Sequence, residues 1–312
     1  RTTPTSTTKG TIAITATIPS MNNVIVSVSD GTQTIMAAIA VSIKPSLDEN
    51  TITVETPGTL SKLLSDYDKS SITELTIIGS LNNSDIATLK SLPNLTILDM
   101  ENVNIGALLS RAFYQKTSLT SVKLPKTLKT IGNSAFYGCS NLTTVTICNS
   151  LTSIGESAFH NCNLTSIIIP DNVTSIGAGA FWACSSLTTI TISNNITSIE
   201  ECTFYGCSSL TNVTIPDSVT SIGTSAFAEC SSLTVVTIGN NVTSIGDFAF
   251  RDCSSLTTIY CKAQTPPEMT YSGFENLYHC TLYVPVGCKD AYAADYWKNA
   301  KEIIETDFSK LN

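Results

Sequence analysis

The chain has 312 residues, a formal net charge of −8 and a pI of about 4.8, and 13% of its residues are charged. A nucleic-acid-binding protein needs a basic surface to displace the counterions of phosphate, so this balance excludes that class of protein. The longest apolar run, Ile35–Val41, is far shorter than the roughly 20 residues of a membrane-spanning helix, and we therefore predict no transmembrane segment.

Residues 1–55 predict a small N-terminal β module or a linker. Apolar and polar residues alternate in four short runs, and Pro, Gly, Asn and Asp separate the runs as in turns. The predicted strands are Thr11–Ile18, Val24–Val28, Ile35–Ile43 and Thr51–Val54. We expect a short antiparallel sheet. The sequence begins at Arg1 rather than Met, and we take it as a processed or truncated product that has lost a signal or lipid anchor.

Residues 56–110 predict N-terminal capping and atypical repeats. Thr56–Leu64 favours a helical turn, and Ser84–Leu92 favours a helix with Ser84 or Asp85 as its N-cap. The end of a stacked structure must cover its open core, which is the expected role of this segment. Two strands are predicted within it, Ile72–Ile77 and Leu95–Met100.

Residues 111–287 repeat one pattern about every 23 residues. A period in this range is typical of a solenoid, in which each repeat forms one turn and contacts its neighbours. Alternating Leu, Val and Ile predict a strand with one buried face at the start of each repeat, and a later Phe predicts a second buried point. The strand-opening residues are Leu119, Leu142, Leu164, Leu187, Leu210, Leu233 and Leu256.

A Gly follows the second apolar pair of most repeats. We predict a positive φ at this position, which would turn the chain onto the other side of the repeat. Glu200 stands where the pattern has Gly, and it predicts local strain or a different turn. The glycines are Gly132, Gly155, Gly177, Gly223 and Gly246.

Six of the eleven cysteines occupy one repeat position, three residues after a Phe. We interpret them as a buried ladder of reduced thiols, because Cys is among the most buried residue types and stacked rungs have parallel rather than converging Cβ vectors. Disulfides or a metal remain alternatives, although the sequence contains no CxxC pair. The six are Cys139, Cys162, Cys184, Cys207, Cys230 and Cys253.

Residues 288–312 predict a C-terminal cap and tail. Cys288–Lys301 reads as a helix with Tyr292, Tyr296 and Trp297 as its apolar stripe. A last strand, Cys280–Pro285, precedes it, and His279 takes the place of the strand-opening Leu, which predicts a core position for that imidazole.

The unit that runs from Leu210 to Ser231 resembles the BspA-like leucine-rich repeat family. The matching letters are Leu210, Val213, Ile215, Pro216, Val219, Thr220, Ser221, Ile222, Gly223, Ala226, Phe227 and Cys230. The resemblance implies a right-handed leucine-rich repeat solenoid of α/β type, mainly β, with parallel strands and about nine repeats of ~23 residues. It also implies a surface or secreted protein of the kind found in Bacteroidetes, with a role in adhesion. It transfers no catalytic or binding residue.

The sequence carries no serine-hydrolase, zinc-protease, P-loop or dinucleotide-binding motif, and it has two His residues. We therefore predict a protein that is not an enzyme and that needs no cofactor or metal.

The outward positions of the strands are the candidate binding residues. Side chains two and four residues after each opening Leu should face the concave side of the solenoid. Thr is also favoured at exposed strand positions by its β propensity alone. These residues therefore have two interpretations: a ligand-binding surface, or strand residues that bind no ligand. The candidates are Lys123, Thr144, Thr146, Thr189, Thr191, Asn212, Thr214, Thr237, Thr258 and Tyr260.

The predicted partner of this face is a host extracellular matrix or cell-surface protein, or a glycan, bound by a monomer. Interface hot spots favour Tyr, Trp and Arg, and because this face has few of them we expect weak or multivalent binding. One alternative is a structural spacer that presents the N-terminal β module. Another is an ice- or crystal-binding surface, whose ranks of Thr would be interrupted here by Ile168 and Tyr260.

Overall fold

The structure, a computed structural model, describes residues 23–29, 34–40, 47, 49–269, 273–275 and 277–310. Short parallel strands make up most of it, with three short α-helices among them. Its strands and α-helices are, in chain order, β1 (Asn23–Ser29), β2 (Thr34–Ala40), β3 (Thr51–Val54), α1 (Leu60–Leu63), β4 (Glu74–Ser80), α2 (Asn83–Ser91), β5 (Ile97–Asn104), β6 (Ala107–Leu108), β7 (Ser121–Lys123), β8 (Thr130–Ile131), β9 (Thr144–Thr146), β10 (Ser153–Ile154), β11 (Ser166–Ile168), β12 (Ser175–Ile176), β13 (Thr189–Thr191), β14 (Ser198–Ile199), β15 (Asn212–Thr214), β16 (Ser221–Ile222), β17 (Val235–Ile238), β18 (Ser244–Ile245), β19 (Thr258–Cys261), β20 (Glu268–Met269), β21 (Thr281–Pro285), α3 (Lys289–Tyr292) and β22 (Glu302–Thr306). Three 3₁₀ turns lie among the last strands and after them, at Leu277–His279, Trp297–Asn299 and Phe308–Lys310.

The N-terminal region contains an antiparallel hairpin. Strands β1 and β2 pair from Asn23↔Ala40 to Ser29↔Thr34, as predicted for the second and third apolar runs. The predicted strand Thr11–Ile18 lies outside the described residues. The placement of Thr51–Val54 in this antiparallel module is wrong, because β3 pairs in parallel with β4 and buries Ile52 and Val54 in the solenoid core.

A main ladder of parallel strands forms one side of the solenoid. Its strands fall into three sheets of five, two and five strands, with equivalent residues of successive turns opposite each other, as in Val213↔Val236↔Ile259. The predicted solenoid of parallel strands is confirmed, although it has about eleven turns rather than nine. The count is larger because β3 and β22 belong to turns whose sequences lack the repeat's letters.

A second ladder of two-residue strands forms where the chain leaves each main strand. It consists of β6–β8–β10–β12 and, separately, β14–β16–β18–β20. The Gly that follows most of these strands does not have positive φ in any of the five repeats that carry it, so that prediction is wrong. A Cβ atom on Gly223 would instead lie 2.7 Å from the backbone nitrogen of Glu201 in the preceding turn, which is too close for any side chain.

Glu200 lies where this second ladder is interrupted. The amides of Gly177 and Gly223 each donate to a carbonyl of the preceding turn, at 2.9 and 2.7 Å. In the described part of the chain no strand pairing joins β12 to β14, the strand that Glu200 follows. The predicted departure is therefore present, although Glu200 has no positive φ. Because an added Cβ would overlap the preceding turn at both Gly177 and Gly223, we attribute the interruption to the Cβ of Glu200.

The third side of each turn carries the Phe. The rings of Phe113, Phe136, Phe159, Phe181, Phe204, Phe227, Phe250 and Phe274 stack at centroid distances of 4.3–5.5 Å. Burying each Phe stabilises the fold by about 1.5–3 kcal/mol. The six ladder cysteines are buried free thiols, and each Sγ donates to the carbonyl of the Phe one turn earlier, at 3.1–3.3 Å.

The N-terminal end of the core is covered by α1 and α2. The predicted second helix is confirmed, but its N-cap is Asn82 and not Ser84 or Asp85. Asp85 is fully buried and accepts hydrogen bonds from the amides of Gly58 at 2.6 Å, Leu60 at 3.0 Å and Asn82 at 2.9 Å. This one carboxylate therefore holds the starts of both helices together.

The C-terminal end is not the helix Cys288–Lys301 that the sequence predicts. Helix α3 has four residues, Asp295 has a φ of +46° that ends helical geometry, and β22 then adds a parallel strand to β21. Tyr292 and Trp297 are buried as predicted. Their polar groups keep hydrogen-bond partners there: the Tyr292 hydroxyl donates to the carbonyl of Ala263 at 2.8 Å, and the Trp297 Nε1–H donates to that of Pro267 at 2.9 Å. Tyr292 and Trp297 are five positions apart, and residues at that spacing do not share one face of a helix. The spacing fits two buried side chains in an irregular segment better.

Candidate functional site

The ten candidate residues lie on the open face of the main ladder, which we call the strand face. Lys123, Thr144, Thr146, Thr189, Thr191, Asn212 and Thr214 are exposed, and Thr237, Thr258 and Tyr260 are half-buried. They form two rows, because equivalent residues of successive strands are paired in register. The breaks between β9 and β11 and between β13 and β15 divide each row into three segments.

The middle of the strand face carries an exposed apolar side chain. Ile168 is 70% exposed and lies in register with Thr191. At the N-terminal end, the Nζ of Lys123 lies 2.8 Å from Oδ2 of Asp99. Partial burial, the largest single effect, raises the pKa of Asp99, but the hydrogen bonds from Lys123 and the amide of Glu101, together with the charges of Lys123 and Lys126, hold that pKa below its usual value. The predicted cationic anchor is therefore already partnered within the chain.

The C-terminal end of the strand face is aromatic. The rings of Tyr260 and Tyr283 stack at 4.7 Å, and the ring of Phe308 meets Tyr260 edge-on at 6.4 Å. Phe308 also lines a cleft of about 460 Å³ together with Asp217 and Lys262, whose charged atoms are 3.8 Å apart. Tyr260 is among the predicted residues, whereas Tyr283 and Phe308 are not, because both belong to turns that lack the repeat pattern.

A second set of rings lies outside the Phe stack and was also missed. The residue directly after the Phe is aromatic in five consecutive turns, and successive rings are 4.4–5.2 Å apart. We call this set the outer aromatic ladder: Tyr114, Tyr137, His160, Trp182 and Tyr205. Its signal is present in the sequence as one aromatic per repeat at a position that the consensus leaves free.

His160 is one member of this ladder, and its partial burial lowers its pKa below the usual value. The predicted core position of His279 is wrong. His279 is exposed beside the ring of Tyr278, and Leu277 and Cys280 fill the core in its place.

Neither a metal centre nor a membrane span emerges from the described residues. No group of three or more His, Cys, Asp and Glu side chains in this part of the chain is placed to hold a metal ion. None of its helices is long and apolar enough to cross a bilayer.

Comparison with known proteins assigns the repeats to a family. The family model of the BspA type leucine rich repeat region matches in six copies, over residues 52–163, 107–231 and 174–289. A search of the curated proteins found no match.

Solved structures similar to this chain are leucine-rich repeat proteins of bacteria. One from Bacteroides ovatus is 19% identical, has a TM-score of 0.51, and covers 93% of this chain and 77% of its own. A leucine rich cell surface protein from Faecalibacterium prausnitzii is 22% identical, with a TM-score of 0.39 and coverage of 90% and 86%. The T. pallidum leucine rich repeat protein is 23% identical, with a TM-score of 0.39 and coverage of 68% and 75%. At these identities, the first likeness supports the fold alone.

Proposed function

The chain belongs to the BspA-type leucine-rich repeat proteins, and from that premise we propose that it is a non-enzymatic binding or adhesion protein. It is displayed on a cell surface or secreted, and it holds a protein or glycan partner on the strand face of the solenoid. The partner is a host matrix or cell-surface protein, or a glycan on such a protein. The chain works as a monomer without a cofactor.

The observation that carries this proposal is the strand face itself. Its residues lie in register across successive turns, and seven of the ten candidates are exposed. An exposed Ile168 at the centre and the stacked Tyr260–Tyr283 pair at one end give the face apolar contact points among hydroxyl groups. A long polar face with few anchors suits weak contacts that are repeated along a partner.

The test is a binding screen of the purified chain against immobilised fibronectin, laminin, type I collagen and mucin, with bacterial cells as a further target. We expect saturable binding to at least one target. Ile168→Asp and Thr191→Asp should weaken it, because each places a carboxylate on the strand face without disturbing the core.

Ser61→Asp is the matched control, since it adds the same charge at an exposed position of α1. The absence of binding to every target at high micromolar concentration would overturn the proposed function. Binding that both strand-face variants leave unchanged would overturn the assignment of the site to this face.

A further inference from the structure

The outer aromatic ladder occupies the position after the Phe of each repeat, which the repeat consensus leaves variable. The preceding Phe residues are fully buried, whereas the ladder side chains are half-buried and Trp182 is 37% exposed. In the next turn the equivalent position holds Ala228, which is buried, so a ring is not required for a turn to fold. Five consecutive rings therefore go beyond what the fold needs.

At the N-terminal end of the ladder the rings stack face to face, whereas His160, Trp182 and Tyr205 meet at tilts of 42° and 48°. Tyr137 stacks on Tyr114 with an interplanar angle of 12° and on His160 with 19°, so both of its faces are covered. A sugar that stacks on an aromatic side chain needs a free ring face. Ring edges instead carry the positive end of the ring quadrupole, together with hydroxyl and N–H groups, and these suit carbonyl and carboxylate oxygens and apolar side chains.

The positions beside four of the five ladder rings are small. Two residues before and two residues after each Phe from Phe136 to Phe204, the backbone has positive φ, and the side chains there are short. The flanking pairs along the ladder are Ser134 and Gly138, Ser157 and Asn161, Gly179 and Ala183, and Cys202 and Gly206. The binding loops of antibodies combine Tyr and Trp with Ser, Gly and Asn in the same way. There the rigid rings supply contact area, and the small neighbours leave the rings accessible.

One end of the ladder is cationic. The guanidinium of Arg111 lies 5.3 Å from the ring centre of Tyr114, and the Nζ of Lys90 lies 5.8 Å from it. Within the described residues, neither cation has a carboxylate partner within ion-pair distance. At the other end, the hydroxyl of Tyr205 donates to Oε1 of Glu229. Lys90 donates to the carbonyl oxygen of Arg111 at 3.3 Å, so the two positive charges are held together beside Tyr114.

From these observations we propose that the outer aromatic ladder docks a protein partner, which places acidic side chains against Arg111 and Lys90. Stacking holds the rings in place before binding, so little side-chain entropy is lost when the partner docks. This inference rests on the proposed binding function but assigns it to a different side of each turn.

The experiment compares variants on the same four immobilised proteins. Trp182→Ala and Tyr137→Ala should each weaken binding by about tenfold or more, as truncation of a central aromatic anchor does. Arg111→Glu should weaken binding more at low salt than at high salt, because salt screens the interaction between charges. Tyr137→Phe keeps the stacked ring and should retain most of the affinity, and thermal unfolding confirms that each variant is folded.

The outcomes separate the two proposals. Loss of binding in the ladder variants, with Ser61→Asp unchanged, supports docking on the ladder. Loss in the strand-face variants alone overturns this inference and leaves the proposed function intact. Binding to mucin alone that disappears after deglycosylation overturns the protein partner in favour of a glycan. The absence of binding to all four proteins overturns this inference, and the absence of binding to bacterial cells as well overturns both proposals.

Discussion

At the scale of single residues, the repeat's glycines are required by the close approach of neighbouring turns and not by a positive φ. None of the five has positive φ, while the positions that do have it are held by Ser, Ala, Asn, Cys and charged residues as well as Gly. The glycines are required because the backbone of the preceding turn occupies the place of a Cβ atom. The sequence shows that Gly is repeated. It does not show whether Gly is required for a positive φ or because a Cβ atom has no room.

Gly223→Ala tests this explanation. The added methyl would lie 2.7 Å from the nitrogen of Glu201, so the turns must separate, and we expect a loss of about 1–3 kcal/mol in the free energy of unfolding. Gly106→Ala is the matched control, because no atom lies within 4 Å of its added carbon. Urea denaturation measures both, and equal effects of the two substitutions would contradict the explanation.

At the scale of elements, the ends of the solenoid depend on single contacts that the repeat does not encode. Asp85 bridges α1 and α2 by accepting from the amides of Gly58, Leu60 and Asn82. Along the core, the cysteine ladder repeats one thiol-to-carbonyl bond in six turns. Both features follow from burial, which makes every polar group depend on a partner within the protein.

Asp85→Ala should destabilise the protein by about 3 kcal/mol, because three amide groups lose a charged acceptor. Asp66→Ala is the control, since that carboxylate is exposed and its hydroxyl partner is the neighbouring Ser65. The unfolding free energy of the control should change by less than about 0.5 kcal/mol. If the two variants have the same urea midpoint, the bridging role of Asp85 is wrong.

The cysteine ladder predicts a loss of stability at alkaline pH. Burial raises the pKa of the Cys184 thiol from 9.0 to about 12, and that of Cys253 also to about 12. In the unfolded chain these thiols lose their protons near pH 9, whereas the folded chain keeps them protonated until near pH 12. Stability is therefore complete below pH 9 and declines as the pH rises toward 12.

Cys184→Ala isolates this effect. Above pH ~9 the wild type should lose up to about 1.4 kcal/mol per pH unit relative to the variant, because the variant lacks one of the titrating thiols. Urea midpoints of both proteins between pH ~8 and ~10.5 measure the difference. A difference that stays constant over this range would refute the assignment.

At the scale of the whole molecule, the solenoid is not uniform along its length. The main ladder is interrupted on both sides of the pair β11–β13, and the second ladder stops between β12 and β14. The Phe stack continues past these breaks, with Phe181 and Phe204 at 5.5 Å. The backbone amides of Phe181 and Ala183 also donate across this junction, to the carbonyls of Thr203 at 2.9 Å and Tyr205 at 2.7 Å. The centre of the array thus lacks strand pairing but keeps the contacts of the Phe side, and in a repeat protein the stability of each turn depends on its neighbours.

Amide hydrogen exchange should reveal this weak point. We expect the amide at position 200 to exchange about tenfold or more faster than those of Gly177 and Gly223, whose hydrogen bonds to the preceding turn are 2.9 and 2.7 Å. Glu200→Gly should slow exchange at that position, because it removes the atom that keeps the turns apart. Equal protection at all three positions would show that the ladder is continuous in solution.

The amino-acid sequence by itself determined the period, the parallel strands, the buried Leu, Ile, Val, Phe and Cys positions and the family, because burial repeats every turn and leaves a periodic pattern in the chain. Only the tertiary structure decided which residues of neighbouring turns meet: the backbone that excludes a Cβ at Gly223, the carboxylate of Asp85 between two helices, and the rings of the outer aromatic ladder. It also decided the ends, where β3 and β22 join the main ladder without the repeat's letters. Contacts between residues about 23 positions apart depend on how closely the turns stack, and that distance is set by all the packed side chains together and not by any local run of residues.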